Sequence, residues 1–219
     1  MSLQYRSGSG DDLVEFSLRD PKIAALLGWL WPGAGHFYQR RYMKGMLFMI
    51  CIISTFMYGL LIARGRSVYA SFRPNDFRWQ FICQSGFALP STLAVAQSMK
   101  VKNDRDPFFV LCERYPANYV DPSTGKLREF EMISDEEMPG FLEFAEQNDL
   151  KPIRDGLMAP PKAPVVLETN DVLGMWHAEM RQFYDMGTLY TVVAGLLNLL
   201  VVYDAFAGPA IFRKPDDEG

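Results

Sequence analysis

The charged residues of the chain are spaced so that four long stretches carry no charge at all. These stretches contain 17, 19, 21 and 18 residues and cover residues 23–39, 45–63, 79–99 and 186–203. Because a helix rises 1.5 Å per residue, the 19-residue stretch spans roughly 28 Å, close to the hydrocarbon thickness of a bilayer, about 30 Å. The pattern predicts membrane-spanning helices rather than the amphipathic helices of a soluble core.

Residues 45–63 and 186–203 are the most apolar of the four stretches. The first is rich in Leu, Ile and Phe, and the second holds nine Leu or Val residues with Tyr190 and Tyr203 near its ends. Such apolar side chains favour insertion by about 0.3–0.6 kcal/mol each, and tyrosine is enriched at membrane interfaces. We predict that both stretches cross a membrane.

The other two stretches contain helix breakers and polar groups. Asp20–Pro21 is a good helix start, but Pro32 soon ends that helix, so residues 23–39 form either a kinked span or a half-span. Residues 79–99 contain Pro90 and several Gln, Ser and Thr residues, whose polar groups neighbouring helices would have to satisfy. These two stretches are predicted to be the weaker spans.

The overall composition averages over two parts of the chain that differ in charge. It is 49% hydrophobic and 22% charged, but residues 100–186 hold ten Lys and Arg against seventeen Asp and Glu, a net charge of −7. The acidic balance excludes a basic nucleic-acid binder, and the apolar content excludes a disordered chain. The three scattered cysteines, Cys51, Cys83 and Cys112, argue against a disulfide framework or a metal knuckle.

The acidic segment shows short strand and helix signals. Tyr119–Val120 and Lys126–Leu127 flank a turn sequence at residues 121–125, which predicts a hairpin. Ser134 with Glu137 has the spacing of a capping box, but Pro139–Gly140 soon interrupts, so the alternative is a helix from Pro139 toward Asn148. Asn170 is expected to cap a further helix with an apolar stripe. The stripe consists of Leu173, Trp176, Met180 and Phe183.

The predicted fold class is therefore mainly α: a polytopic helical membrane protein of three or four transmembrane helices, with a small α+β polar insertion between the last two spans. We expect five segments along the chain. They are a polar N-terminal segment at 1–21, membrane helices at 22–99, the acidic α+β segment at 100–185, the last transmembrane helix at 186–212 and a charged tail at 213–219.

Residues 22–45 follow a recognisable order: a short apolar helix, a Gly-x-Gly-His-Phe-Tyr element, a basic turn, then Lys-Gly and a long apolar helix. This order resembles the two-transmembrane-helix hairpin domain family over residues 22–63. The chain departs from that family at Gln39–Arg40, where members usually continue with Leu-Gly. The residues on matching positions are Gly33, Gly35, His36, Phe37, Tyr38 and Gly45.

A wider resemblance covers most of the chain. The strings at residues 32–39, 69–74, 158–161 and 187–205 are similar to those of a bacterial family of uncharacterised membrane proteins that contain a domain of unknown function. The resemblance implies an integral membrane protein and supplies no activity.

The glycine-rich motif also has a direct physical interpretation. Gly33 and Gly35 permit backbone angles closed to other residues and allow close helix approach, and Pro32 ends the first helix, so we expect a tight re-entry. This turn is open to three interpretations: a well-anchored hairpin, a lipid-headgroup site or a partner contact. Catalysis by His36 is disfavoured because the motif holds no carboxylate or nucleophile. The basic residues expected to meet lipid phosphates are Arg40, Arg41 and Lys44.

Three polar residues fall at membrane depth. Asn198 is expected to bond across to another helix, with Gln84 or Ser85 as partners, because an unpaired buried amide is costly. Asp204 lies just past the last apolar stretch, which allows either a solvated or Arg-paired structural role or a place in an ion or substrate pathway.

We expect a non-catalytic scaffold, or an assembly or modulator partner of a membrane complex, in the cytoplasmic membrane. The alternative is a component of an oligomeric transporter or channel whose path is lined by polar residues of the third and fourth stretches. The sequence holds no zinc spacing, P-loop, nucleophile elbow or dinucleotide glycine pattern, so no cofactor, metal or catalytic residue is expected. The expected partners are membrane lipids and a second copy of the chain or another membrane protein, with no nucleic acid.

Overall fold

A computed structural model describes residues 2–6, 13–17, 20–73, 76–102, 105–114, 118–120, 127–129, 138–147, 153–161 and 172–208. The fold is mainly helical, in agreement with the predicted class. The helices are α1 Pro21–Leu30, α2 Ala34–Tyr38, α3 Tyr42–Ile62, α4 Trp79–Gln84, α5 Ala88–Lys102, α6 Met138–Gln147, α7 Val172–Met180 and α8 Gln182–Ala207.

The described strands form four separate antiparallel pairs rather than one larger sheet. β1 Ser2–Arg6 pairs with β2 Leu13–Ser17, and β3 Phe72–Arg73 pairs with β4 Asp76–Phe77. β5 Val110–Arg114 pairs with β8 Ile153–Gly156, and β6 Asn118–Val120 pairs with β7 Leu127–Glu129. The β6–β7 pair confirms the hairpin predicted around the turn sequence, although the turn residues themselves lie outside the described residues.

Within the described residues, two helices are long and apolar enough to cross a membrane, α3 with 21 residues and α8 with 26. They correspond to the two stretches with the strongest sequence signal. At 1.5 Å per residue these helices measure roughly 32 Å and 39 Å. The prediction of three or four spans is not confirmed, because the other two uncharged stretches are each broken into a pair of shorter helices.

The chain divides into two compact units, the first made of residues 1–59, 79–92 and 189–219. In this unit α1 begins as predicted, with the Asp20 side chain accepting a hydrogen bond from the backbone N–H of Lys22. After ten residues, roughly 15 Å, the chain turns at Trp31–Gly33 and continues into α2. α1 is therefore about half the length that a crossing helix needs.

The second broken stretch, residues 79–99, has its interruption at Ser85–Phe87, between α4 and α5. A close backbone contact between Gly86 and Gly195 of α8 accompanies the break, since a Cβ atom at Gly86 would overlap the Gly195 carbonyl oxygen. The sequence predicts a weaker span here because of Pro90 and the polar residues, but the chain is interrupted before Pro90, which lies in the first turn of α5. Proline is tolerated at that position of a helix.

The second unit comprises residues 60–78 and 93–188. Its hydrophobic core contains Ala63, Tyr69, Trp176, Met180 and Tyr184, with Leu173 packed against it. The predicted apolar stripe is thus confirmed at Leu173, Trp176 and Met180 of α7, whereas Phe183 lies in the first turn of α8 and is exposed. α6 confirms the helix predicted from residue 139, while the predicted cap Asn170 lies outside the described residues.

Candidate functional site

The carboxylate of Asp204, in the last turn of α8, is the centre of a charged cluster in the first unit. Its Oδ2 atom lies 2.7 Å from His36 Nε2 and 2.7 Å from Lys44 Nζ, and 3.6 Å from Arg41 Nη1. Lys44 also donates to the other carboxylate oxygen, Oδ1, at 2.8 Å. One carboxylate therefore joins α2, the turn after it and the first turn of α3 to the end of α8.

The turn that places the basic residues has the hydrogen bonds of a Schellman motif at the end of α2. The N–H of Arg41 donates to the His36 carbonyl at 2.8 Å, and the N–H of Arg40 donates to the Phe37 carbonyl at 3.0 Å. This motif needs a left-handed residue directly after the C-cap, and Arg40, which follows the C-cap Gln39, has φ 63°. The departure from the resembled family, Arg where members carry Gly, thus falls on the position where glycine is the least strained residue.

His36 is completely buried, with Phe48 of α3 in edge contact at 5.1 Å between ring centroids. Burial lowers the pKa of His36 below its ordinary value of 6.5, and the hydrogen bond to Asp204 opposes this shift without overcoming it. A neutral imidazole bonded to a carboxylate carries its proton on the nitrogen that faces it, so Nε2 donates to Asp204. The other nitrogen, Nδ1, has no hydrogen-bond partner among the described residues.

The cluster carries an excess of positive charge. Arg40, Arg41 and Lys44 contribute three cations and Asp204 one carboxylate, which leaves a net charge of +2 with His36 neutral. Arg41 Nη1 makes no hydrogen bond among the described residues, and its 3.6 Å separation from Asp204 is longer than a hydrogen bond. Arg40 is exposed. Asp204 therefore neutralises only part of the basic turn.

The glycines of the motif permit the close packing that the sequence predicted. Gly33 has φ 79°, and a Cβ atom there would overlap the carbonyl oxygen of Gly45 in α3. A Cβ atom at Gly35 would overlap the carbonyl oxygen of Ala24 in α1. Pro32, in the turn that separates α1 from α2, is buried. The motif is thus a tightly packed turn, with α1 and α2 side by side.

The two aromatic side chains of the motif, Phe37 and Tyr38, have the same degree of burial. Phe37 is half-buried, and its ring stacks on that of Tyr42, the first residue of α3, with 6.4 Å between the ring centroids. Tyr38 is also half-buried. Tyr42 itself is 59% exposed, a common situation for a tyrosine at the end of an apolar helix.

The other predicted polar residues meet deeper along α8. Asn198 is fully buried and donates to the backbone carbonyls of Gly28, at 3.1 Å, and Gly86, at 2.9 Å. Gln84 is fully buried and donates to Thr191 of α8 at 2.8 Å. Asn198 therefore bonds across to other segments as predicted, but its partners are backbone carbonyls rather than Gln84 or Ser85.

The sequence marks His36 and Asp204 as separate features and does not indicate that they pair. It also gives no indication of Gln39, whose Nε2 donates to the Ala205 carbonyl at 2.6 Å and adds a further bond between the turn and α8. The only sequence signal was that the motif lacked a carboxylate for its histidine and that one carboxylate followed the last apolar stretch. Nothing local to either residue connects them.

In the second unit, Arg66 forms a buried network that the sequence did not indicate. Its guanidinium contacts Asp155 at 3.3 Å and Glu179 at 3.1 Å, and it lies 3.0 Å from the sulfur of Cys112. Trp176 donates its indole N–H to Asp155 at 3.2 Å. These contacts connect α7 with β5 and β8 through paired charges, and we assign them a structural role.

Metal ligation has no support within the described ranges, where no group of three or more His, Cys, Asp or Glu side chains is placed to hold an ion. The charged cluster has instead the character of an anion site, since its spare donors are cationic.

Comparison with known proteins gives a family without a function. No curated protein and no solved structure matches the chain. The sequence model of a family described as "Family of unknown function (DUF6677)" matches residues 23–218. That match covers the glycine-rich motif, both long apolar helices and the acidic segment, and it confirms the expected membership of a family defined by a domain of unknown function. The chain belongs to this family.

Proposed function

We propose that the protein is an integral, multi-pass protein of the cytoplasmic membrane that acts as a non-catalytic scaffold for a membrane complex, with α3 and α8 crossing the bilayer. The exposure of these helices supports the proposal. Only 28% of the most apolar part of α3 and 39% of that of α8 are buried. A core helix of a soluble protein would be mostly buried, so the exposed apolar faces fit contact with lipid.

The packing of α1 and α2 supports a re-entrant hairpin rather than an additional crossing. Near its start, α1 approaches Gly35 at Ala24, and Gly35 in turn lies against Ala205 of α8. Farther along, α1 reaches Val202 and Asn198 at Gly28. The chain then turns, and α2 is again at Asp204 and Ala205. The hairpin thus enters and returns at the same end of α8.

The observation that best supports the scaffold role is the pair of hydrogen bonds donated by the Asn198 side chain. Its amide donates to one backbone carbonyl of α1 and to one of the turn between α4 and α5, so a single buried side chain joins three segments. If the protein formed a transport path, such polar groups would face water in that path. Here the amide groups of Asn198 and Gln84 donate instead to neighbouring segments of the protein. The backbones also pack closely, since a Cβ atom at Gly195 would overlap the carbonyl oxygen of Cys83. This arrangement favours a rigid membrane core.

The alternative, a component of an oligomeric transporter or channel, is favoured by one feature, the broken helices. Many transporters have discontinuous helices near the bilayer midplane. Accessibility of Thr191, which is fully buried beside Gln84, separates the two functions. A Thr191→Cys variant in a background without Cys51, Cys83 and Cys112 is treated in membranes with a charged, water-soluble thiol reagent.

The scaffold role predicts that Thr191→Cys does not react, while the exposed control Lys22→Cys reacts fully. Rapid modification of Thr191→Cys would support a hydrated path instead. The partner is tested by affinity purification of the full-length chain from mild detergent, with identification of co-purifying proteins and the mass of the complex. We expect an oligomer or a stoichiometric partner, and recovery of the chain alone as a monomer would contradict the scaffold role.

A further inference from the structure

The net positive charge of the cluster around Asp204 lies at a defined depth. Asp204 joins the last turn of α8 to the first turn of α3, so the cluster is at the end of both long apolar helices. If these helices cross a bilayer, their ends fall in the headgroup layer, where lipid phosphates are found. Exposed Tyr203, at 69%, and Tyr42 flank the cluster in the chain and fit the same layer.

Two basic side chains of the cluster, Arg41 and Lys44, remain partly accessible although they lie beside Asp204. Lys44 and His36 occupy the two oxygens of Asp204, whereas Arg41 Nη1 is buried 3.6 Å from this carboxylate and makes no hydrogen bond in the described part of the chain, so Asp204 does not engage Arg41 by a hydrogen bond. Arg41 and Lys44 are partly exposed, with 23% and 38% of their side chains accessible. A guanidinium fork binds phosphate oxygens in pairs, and an ammonium adds a point charge.

Arg40 provides an independent observation. Its φ of 63° is a left-handed conformation that a residue with a side chain adopts only with strain. Arg40 is exposed, so burial of its side chain does not account for this conformation. Arg40 is, however, the neighbour of Arg41 in the chain, and its guanidinium adds a second positive charge to the turn.

We propose that Arg40, Arg41 and Lys44 form a binding site for the phosphate of an anionic phospholipid headgroup, with Asp204 holding Lys44 in place. This proposal rests on the membrane location given above. Each cationic side chain near an anionic surface strengthens attachment by about fivefold. The site would select anionic over zwitterionic lipid on the side of the membrane where α3 begins.

The test uses the full-length protein, purified in detergent and titrated separately with phosphatidylglycerol and phosphatidylcholine, with bound lipids counted by native mass spectrometry. We expect the wild-type chain to prefer phosphatidylglycerol. Arg41→Gln should reduce the affinity for phosphatidylglycerol about fivefold and leave that for phosphatidylcholine unchanged. Arg181→Gln is the matched control, because Arg181 is also an exposed arginine with positive φ, at 49°, but lies in the other unit.

Arg40→Gly removes a charge and relieves strain, so it separates lost binding from lost folding. It should keep or raise the thermal midpoint while it reduces phosphatidylglycerol affinity about fivefold. Unchanged lipid preference in both variants would overturn the site. Inorganic phosphate that binds without lipid and displaces phosphatidylglycerol would overturn the lipid assignment in favour of a free anion. A chain that leaves membranes at alkaline pH would instead refute the membrane location itself.

Discussion

The Nζ atom of Lys44 lies 2.7 Å from Oδ2 of Asp204, although 160 residues separate the two in the chain. This ion pair joins the beginning of one long apolar helix to the end of the other. Both side chains are a little over one third exposed, so the pair alone contributes modestly to stability. Its importance lies in holding the basic turn against α8 together with His36.

Asp204→Asn should lower the thermal midpoint of the purified protein, because it removes the negative charge shared by His36, Arg41 and Lys44. We expect a loss of about 1–2 kcal/mol, near the lower end for hydrogen bonds to charged groups, since the site is partly exposed. The control is Asp185→Asn on the same helix, where the carboxylate is 72% exposed and 3.6 Å from His177. Equal effects of the two substitutions would show that the cluster does not hold the helices together.

Asn198→Leu should be the most destabilising of the substitutions considered, because it leaves the carbonyls of Gly28 and Gly86 without their donor in a buried site. Each unsatisfied buried group costs about 1–3 kcal/mol, so we expect a loss of roughly 2–5 kcal/mol in detergent-based unfolding. Leu200→Ala, at a position 66% exposed on the same helix, should cost much less. A small effect of Asn198→Leu would contradict the bridging role of its amide.

Gly195→Ala tests the close contact between α8 and the turn that follows α4. Alanine favours a helix over glycine by about 1 kcal/mol, so an exposed helical glycine should become more stable on this change. Gly140→Ala in α6 is such a control, because no atom lies within 4 Å of the added Cβ. Gly195→Ala should instead destabilise the protein, since the Cβ would overlap the Cys83 carbonyl oxygen. Thermal melting of both variants, followed by circular dichroism, shows whether each substitution raises or lowers the stability.

The pH dependence of stability should report on His36. The pKa of His36 is lower in the folded protein than the ordinary value of 6.5, so the unfolded chain binds the proton more readily. The contribution of neutral His36 to the free energy of unfolding is therefore fully present above pH 6.5. It decreases as the pH falls from 6.5 toward the lower pKa of the folded state. His36→Gln should flatten this part of the profile of thermal midpoint against pH. A wild-type stability that rises on acidification through this window would have the wrong sign.

The sequence predicted those features that depend on local patterns. The long uncharged stretches predicted α3 and α8 because insertion depends on composition along one helix. Pro32 and Gly33 predicted the end of α1 and the tight turn because proline and glycine restrict or free the backbone at their own positions. The Ser/Thr/Asp-rich turn sequence predicted the β6–β7 hairpin for the same reason.

Features that depend on distant contacts were not predictable. The His36–Asp204 pair joins residues 168 positions apart, and neither has a local signal for the other. The break between α4 and α5 was missed because it coincides with the approach of Gly86 to Gly195, a contact that the sequence around Gly86 does not show. The β1–β2 pair at the N-terminus was likewise missed, since that segment was interpreted only as polar.

The most direct test of the account is whether the chain resists extraction from membranes. Membranes that contain the full-length protein are washed at alkaline pH with carbonate and then floated in a density gradient. We predict that the protein floats with the lipid and becomes soluble only in detergent, because the apolar faces of α3 and α8 contact acyl chains. A folded, monodisperse protein in the detergent-free supernatant would contradict this assignment and both proposals that depend on it.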